Sequence, residues 1–87
     1  MDIKQLITFL AIADYKNFTK AAESLNYAQS TVTTQIQNLE KEFNIRIFER
    51  LGHTIELTCS GKRLLPYAKE IIRLSNEAQK SLSDQRT

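Results

Sequence analysis

Two short helical patterns, separated by an uncharged break within residues 21–40, constrain the fold of this chain more than any other feature. The second pattern has an apolar face whose members recur at helical spacing: Val32, Ile36, Leu39 and Phe43. At about 100° per residue, the opposite face carries hydroxyl and amide groups on Ser30, Thr33, Thr34 and Gln37. Asn26 suits the break because Asn tolerates left-handed backbone geometry. The sequence therefore predicts two helices joined by a tight turn, the second over residues 29–43.

The polar face of the second helix suits the major groove of duplex DNA. A Gln amide can bond two atoms of adenine, and a Thr methyl group can pack against the methyl group of thymine. Gln35 lies at the side of this helix, so we expect it to pack against a neighbouring helix. The polar face by itself leaves an ordinary solvated surface equally open.

Capping residues predict two helices before this one. Asp2 followed by Gln5 forms a capping box that opens a first helix reaching about Asp14. Asn17 is the predicted cap of a second helix over residues 18–25.

The pattern changes after Asn44, where apolar residues alternate with polar ones. Alternation predicts two short strands, one containing Ile45 and Ile47 and the other containing Ile55 and Leu57. Residues 49–54 would form the loop between them. Helix, helix-turn-helix and hairpin, in that order, predict a winged helix-turn-helix.

A fourth helix is predicted from a cap at Thr58 or Ser60 to about Leu82. Its apolar residues follow steps of four and three, a heptad-like seam that Ile72 widens. The seam consists of Leu64, Ala68, Ile71, Ser75, Ala78 and Leu82. So long a stripe cannot be covered by a domain of this size, and an uncovered apolar stripe serves as an interface. We therefore expect a homodimer through this helix, with a frayed tail over residues 83–87.

Charge gives only weak support for nucleic-acid binding. Twelve Lys or Arg residues and ten Asp or Glu residues leave a net charge of +2, and residues 25–39 carry no charge at all. A nucleic-acid binder usually presents a basic face. The helical pattern must therefore carry the functional argument.

Composition argues against an enzyme. The chain has one His and one Cys, and it contains no glycine-rich phosphate loop, metal-ligand cluster or recognisable pair of nucleophile and base. We expect no catalytic residue, metal or cofactor. No apolar run approaches the roughly 20 residues of a membrane span. The amino terminus does not resemble a secretory leader, and a lone Cys fits a reducing compartment, so a cytoplasmic protein is expected.

Two other binding functions stay open at this stage. A helical protein-interaction module could use the fourth helix to bind a partner helix. A single-strand nucleic-acid binder is less favoured because the sequence has no aromatic row beside a basic groove.

The stretch FLAIADYKNFTKAAESLNYAQSTVTTQIQNLEKEFNIRIFER, followed by LT, Gly61 and LLPYA, resembles the amino-terminal domain of LysR-type transcriptional regulators. The resemblance covers essentially the whole chain. It implies a mainly α fold with a small β-hairpin, in which residues 1–58 form the winged helix-turn-helix and residues 59–87 the linker helix and tail.

The resemblance also implies a function. Members of the family bind double-stranded DNA sequence-specifically, as dimers on inverted-repeat operators, and regulate transcription. Full-length members continue into a domain that senses a small-molecule effector, which we expect to be absent from this chain. A tetramer is a further possibility for a full-length protein.

The family pattern implies which residues contact DNA: Thr19, Gln29, Ser30, Thr31, Thr33, Thr34, Gln37, Arg50 and His53. Local capping by Thr19, and a pair between Arg50 and Glu49 or Glu56, are the alternatives for two of them. Several positions depart from the family pattern by lacking a cation or a polar cap, notably Ala28, Thr34, Gln37 and His53.

Overall fold

The computed structural model describes residues 1–83. It contains four helices and one hairpin: α1 (Ile3–Tyr15), α2 (Phe18–Leu25), α3 (Gln29–Phe43), β1 (Phe48–Leu51), β2 (Thr54–Leu57) and α4 (Cys59–Ser83). This is the predicted winged helix-turn-helix followed by a long helix. Of the predicted frayed tail, Ser83 ends α4, and residues 84–87 lie outside the described residues.

Local hydrogen bonds explain where the first helices begin and end. The Asp2 side chain accepts from the Lys4 amide at 3.0 Å, and the Asp2 amide donates to Gln5 Oε1 at 3.2 Å, which confirms the capping box. Asn17 caps α2 by accepting from the Lys20 amide at 2.9 Å. Asn26 has a φ of 60°, as predicted for the tight turn.

The core lies where α1, α2 and α3 cross. Its largest fully buried side chains include Leu6, Phe9 and Ile12 from α1 and Val32 and Leu39 from α3. The predicted buried face of α3 is thus confirmed for its first three members. The expectation for the fourth is wrong, because Phe43 is 41% exposed. Phe43 is the last residue of α3 and faces an open groove rather than the core.

The hairpin differs from the prediction in where its strands lie. The first strand begins at Phe48 rather than at Ile45, and Leu51 pairs with Thr54, so the loop contains only Gly52 and His53. Gly52 adopts a φ of 65°, which a two-residue hairpin turn requires. The Ile47 carbonyl accepts from the amide of Thr58, its in-register partner, but the Ile47 amide donates to the Glu40 carboxylate instead of to β2, so the strand begins one residue later.

Aromatic packing attaches the hairpin to the helices. Phe48 is the one buried residue of β1, and its ring centroid lies 5.8 Å from that of Phe9 and 5.7 Å from that of Phe18. The other three residues of β1 are exposed. The wing therefore packs on the core through Phe48 of β1 and through the partly buried Ile55 and Leu57 of β2, while the rest of β1 projects into solvent.

Thr58, and not Ser60, caps α4: its Oγ1 accepts from the Gly61 amide at 3.0 Å. The first half of α4 packs on α1, with Ala68 fully buried between them. From residue 73 to residue 83 every residue except Ser75 is exposed, so the second half projects beyond the domain. None of the helices in the described part of the chain is long and apolar enough to cross a membrane.

Candidate nucleic-acid interface

The polar face of α3 is available to solvent. Gln29, Ser30, Thr31, Thr34 and Gln37 are exposed, and Thr33 is half-buried. Opposite this face, Val32 and Leu39 are fully buried against the domain. A helix anchored in this way presents its hydroxyl and amide groups from a rigid support.

The wing and the start of α2 lie beside this face and form a concave surface with it, here called the recognition groove. Its lining includes five residues that were predicted to contact DNA: Thr19, Gln29, Thr33, Arg50 and His53. An adjoining groove contains Thr33 and Arg50 again and adds Gln37. Ser30, Thr31 and Thr34 are exposed on α3 but line neither groove. The fold thus gathers six of the nine predicted residues on one side of the domain.

Thr19 and Gln29 hold each other in position. Thr19 Oγ1 donates to Gln29 Oε1 at 3.0 Å, across the turn between α2 and α3. Asn17, rather than Thr19, caps α2. The hydrogen bond limits where the Gln29 amide can point, which reduces the entropy it would lose on contacting a ligand.

The Arg50 guanidinium lies at the wing, where Glu49 and Glu56 are its possible ion-pair partners. Arg50 forms no ion pair with any residue of the described range 1–83. Strand register places it opposite Ile55, while Glu49 lies opposite Glu56, which binds Lys16 at 3.4 Å instead. The two alternative partners suggested by the sequence are therefore not used, and the charge of Arg50 is available to an anion.

Two cations outside the nine residues predicted to contact DNA also line these grooves. Lys16 lines the recognition groove, and Arg46 lines the adjoining one. Lys16 is the residue that ends α1 in the left-handed conformation, and Arg46 lies in the irregular segment before β1. Neither belongs to a periodic pattern, so sequence spacing offered no signal for them beyond their charge.

Gln35 is structural, as predicted. The fully buried Thr8 hydroxyl in α1 donates to Gln35 Oε1. The bond fixes α3 against α1 and keeps Gln35 away from the polar face.

Ala28 leaves the start of α3 without a side-chain cap. It occupies the N-cap position, and no side chain there accepts a hydrogen bond from the first turn. The other three N-cap positions, Asp2, Asn17 and Thr58, all use an oxygen acceptor.

The predicted seam on α4 divides in two. Leu64, Ile71 and Ile72 pack against the core while remaining partly exposed. The prediction that Ala68 contacts a second chain is wrong. Ala68 is fully buried within its own chain, where it packs against α1. Ser75 is half-buried, whereas Ala78 and Leu82 are exposed.

The exposed apolar residues of α4 lie on a face of the helix beside the predicted seam. Tyr67 is 68% exposed and Leu74 is 52% exposed, and neither was part of the predicted seam. Together with three seam members they form the α4 apolar face: Tyr67, Ile71, Leu74, Ala78 and Leu82. The steps of four and three along this face were the available signal.

Beside this face, Arg73 forms ion pairs with Glu70 and Glu77 on the same helix. The hydrogen bonds from the Arg73 guanidinium lower the pKa of the Glu70 carboxyl. All three groups are exposed, so these pairs contribute chiefly to the local helicity of α4.

Comparison with known proteins adds the family. Residues 3–62 match the family described as "Bacterial regulatory helix-turn-helix protein, lysR family". The chain is 52% identical over 79 residues to "Uncharacterized HTH-type transcriptional regulator YwqM" of Bacillus subtilis (strain 168), covering 91% of this chain and 27% of that protein. It is 45% identical over 84 residues to "HTH-type transcriptional regulator CitR" of the same organism, covering 97% of this chain and 28% of that one. The chain therefore spans less than a third of each of these two relatives.

Two solved structures of a relative bound to DNA share the fold. "Crystal structure of CbnR_DBD-DNA complex" superposes with a TM-score of 0.89 at 33% identity, covering 99% of this chain and 100% of that one. "Crystal structure of full-length CbnR complexed with the target DNA complex" also gives a TM-score of 0.89, at 32% identity, covering 95% of this chain and 29% of that chain.

Proposed function

This chain belongs to the lysR family of bacterial regulatory helix-turn-helix proteins, and from that premise we propose that it binds duplex DNA sequence-specifically and regulates transcription. The observation that carries the proposal is the recognition groove, where the polar face of α3 lies beside Arg50, which forms no ion pair within residues 1–83. CbnR, whose DNA-binding domain has the same fold, is described as bound to DNA in two solved structures. The named regulators among the relatives point to regulation rather than to catalysis.

In the proposed complex, residues 1–58 form the DNA-binding unit and α3 enters the major groove. The exposed amides and hydroxyls of α3 read base edges, and the Thr methyl groups contact thymine. Arg50 and His53, at the wing, contact phosphates or the minor groove. Gln29 approaches the bases already oriented by Thr19.

A second copy of the chain is the proposed partner of α4. The α4 apolar face exposes Tyr67, Leu74 and Leu82, and half of the helix projects beyond the domain. Pairing two such helices buries this surface and produces a two-fold dimer with two copies of α3, which matches an inverted repeat. Residues 59–83 are therefore proposed as the linker, and a tetramer belongs to a longer protein.

A small-molecule effector is proposed only for a further domain of a longer protein, as family membership implies. No cofactor is proposed for residues 1–83, where the described His, Cys, Asp and Glu residues form no cluster able to hold a metal. Because the bacterial chromosome lies in the cytoplasm, a DNA partner implies that the protein works there.

The test is DNA binding by a variant without two groove side chains. Duplexes selected from a random library by the wild-type chain serve as ligands in a gel-shift titration against the Thr33→Ala/Gln37→Ala variant. We expect the variant to lose discrimination between selected and scrambled duplexes, since each good base contact is worth about 1–3 kcal/mol. The matched control is Asn38→Ala, an exposed polar residue of α3 outside both grooves.

A second candidate function is a protein-interaction module that acts through the α4 apolar face, whose exposed Tyr67 and Leu74 favour it. In that case the wild-type chain would select no duplex, and the variant would be indistinguishable from it.

A further inference from the structure

We propose that Glu40 is a positioning residue for DNA binding: its carboxylate fixes the wing against α3, so that Arg50 and the α3 side chains meet the same stretch of DNA. The inference rests on the proposed function and assigns to Glu40 a role beyond it. Glu40 contacts no DNA in this account and acts through the backbone of Ile47.

The Ile47 backbone is bonded to α3 through its amide and to its in-register hairpin partner, Thr58, through its carbonyl. The Ile47 amide donates to Glu40 Oε2 at 2.8 Å, and its carbonyl accepts from the Thr58 amide at 3.0 Å. Thr58 Oγ1 donates to the neighbouring Arg46 carbonyl at 2.5 Å and lies 3.3 Å from the Ile47 carbonyl. The Ile47 side chain is fully buried. The residue just before the wing is thus attached to α3 on one side and to the cap of α4 on the other.

The start of α4 closes on the same carbonyl. Thr58 Oγ1 accepts from the Gly61 amide at 3.0 Å. A Cβ added at Gly61 would lie 2.3 Å from the Ile47 oxygen, so only glycine permits this approach. Recognition helix, wing and linker helix therefore converge on one backbone unit, and we call Glu40, Ile47, Thr58 and Gly61 the joint.

The joint is placed to control the wing. Glu40 follows Gln37 by three residues and Thr33 by seven, so all three lie along one side of α3. Arg50 lies three residues beyond Ile47, and all of these except Ile47 line the same groove. The distance between Arg50 and the α3 polar face therefore depends on the bond from Glu40 to Ile47, a charge-assisted hydrogen bond of the stronger kind.

Electrostatics alone would disfavour a carboxylate here. Glu40 lines a groove that would face DNA phosphates in the proposed complex, and a carboxylate repels a nearby phosphate because both are negatively charged. Removing the charge should then tighten binding. If Glu40 positions the wing, any replacement that also removes the hydrogen-bond acceptor should weaken DNA binding. The direction of the change in affinity therefore distinguishes wing positioning from simple repulsion of phosphate.

The experiment compares three Glu40 variants on duplexes selected by the wild-type chain, at a temperature where melting curves show each variant folded. Glu40→Gln keeps an acceptor and loses the charge, so we expect binding at least as tight as wild type. Glu40→Met has similar length without an acceptor, and we expect about tenfold weaker binding, the loss expected for one charged contact. Glu40→Asp keeps the charge, but its shorter side chain would not reach the Ile47 amide. If the Met variant does not fold, the Asp variant replaces it and should likewise bind DNA more weakly than wild type.

A double-mutant cycle shows whether Glu40 acts through the wing. Arg50→Ala should weaken binding about tenfold in the wild-type background and hardly at all beside Glu40→Met, because the wing is then already displaced. The salt slope should likewise fall by about one unit in each single variant and no further in the double variant. The matched control is Glu42→Met, which removes an exposed α3 carboxylate that pairs with the N-terminal ammonium group, outside the joint. It should leave both quantities unchanged.

The inference is overturned if Glu40→Met, or Glu40→Asp in its place, binds as tightly as wild type, or if Arg50→Ala has its full effect beside it. A wild-type chain that selects no duplex would instead overturn the proposed function, so the two failures are distinct.

Discussion

Single residues decide how each helix of this protein begins. Asp2 and Asn17 accept hydrogen bonds from the first turns of α1 and α2, and Thr58 does the same for α4. α3 begins after Ala28, whose methyl group accepts nothing. The helix proposed to read DNA is therefore the one helix of residues 1–83 whose first-turn amides receive no side-chain cap.

Replacing Ala28 with Ser should stabilise the domain. The N-cap backbone is already extended, with φ −69° and ψ 149°, so the hydroxyl could accept from an amide of the first turn without rearrangement. Exchanges of this kind contribute about 0.5–2 kcal/mol to the free energy of unfolding. Urea titration followed by circular dichroism measures the change. Ala28→Val, which adds bulk without an acceptor, is the control, and an equal gain in both variants would exclude capping as the cause.

At the scale of elements, α3 carries no charge along residues 29–39, which include all of its predicted DNA contacts. Residues 25–39 contain no Lys, Arg, Asp or Glu. Phosphate contacts must therefore come from flanking elements, such as Arg50 on β1 and Arg46 before it. Direct readout by neutral groups and electrostatic attraction are thus divided between α3 and the wing.

This division predicts a shallow salt dependence that cations on α3 would steepen. With Thr34→Arg and Gln37→Arg together, the slope of log affinity against log salt should become steeper by up to about two units, since each phosphate contact contributes about −0.9. Fluorescence anisotropy at several salt concentrations measures it. Asn38→Arg adds one positive charge at an exposed α3 position that is not a predicted DNA contact, and it should steepen the slope by less than about one unit. If the wild-type slope already equals that of the double variant, surfaces other than α3 supply the missing contacts.

At the scale of the whole molecule, α4 determines how two copies would meet. Its 25 residues span about 37 Å at 1.5 Å per residue, within a molecule 55 Å long. Ile71 packs partly on the core, so a charge there would disturb the fold as well as the interface. Leu74 is the cleaner probe because it is 52% exposed.

Leu74→Asp should dissociate the proposed dimer and leave each domain folded, because a carboxylate buried in an apolar interface is not solvated. Sedimentation velocity gives the mass, and circular dichroism checks the helicity. Asn76→Asp, an exposed change on the same helix outside the apolar face, is the control. A persistent dimer would place the interface elsewhere.

The same dimer should be sensitive to operator spacing. Inserting about five base pairs between half-sites turns one of them to the opposite face of the duplex, so wild-type affinity should fall sharply. The Leu74→Asp variant should bind the duplex with the original spacing more weakly than wild type does, and the insertion should change its affinity little. An insertion without effect on wild type would contradict two-fold binding.

The sequence alone determined the helices and their ends. Asp2, Asn17 and Asn26 act within a few residues of themselves, and the apolar period of α3 predicted its bounds of Gln29 and Phe43 correctly. Local hydrogen bonds and periodicity need no knowledge of the rest of the chain, so they can be inferred from neighbouring letters. The same holds for the polar face of α3 and for the family resemblance.

Only the tertiary structure decided the strands of the wing and the exposed face of α4. Ile47 alternates like a strand residue, and its carbonyl accepts from its in-register partner Thr58. Its amide, however, donates to Glu40, seven residues earlier, so β1 begins at Phe48. Ala68 was predicted to belong to the seam and Leu74 was not, but contact with α1 buries Ala68, while Leu74 is 52% exposed. The start of β1 and the burial of α4 side chains both depend on contacts with residues distant in sequence. Those contacts exist only in the packed structure, so neighbouring residues in the sequence do not predict them.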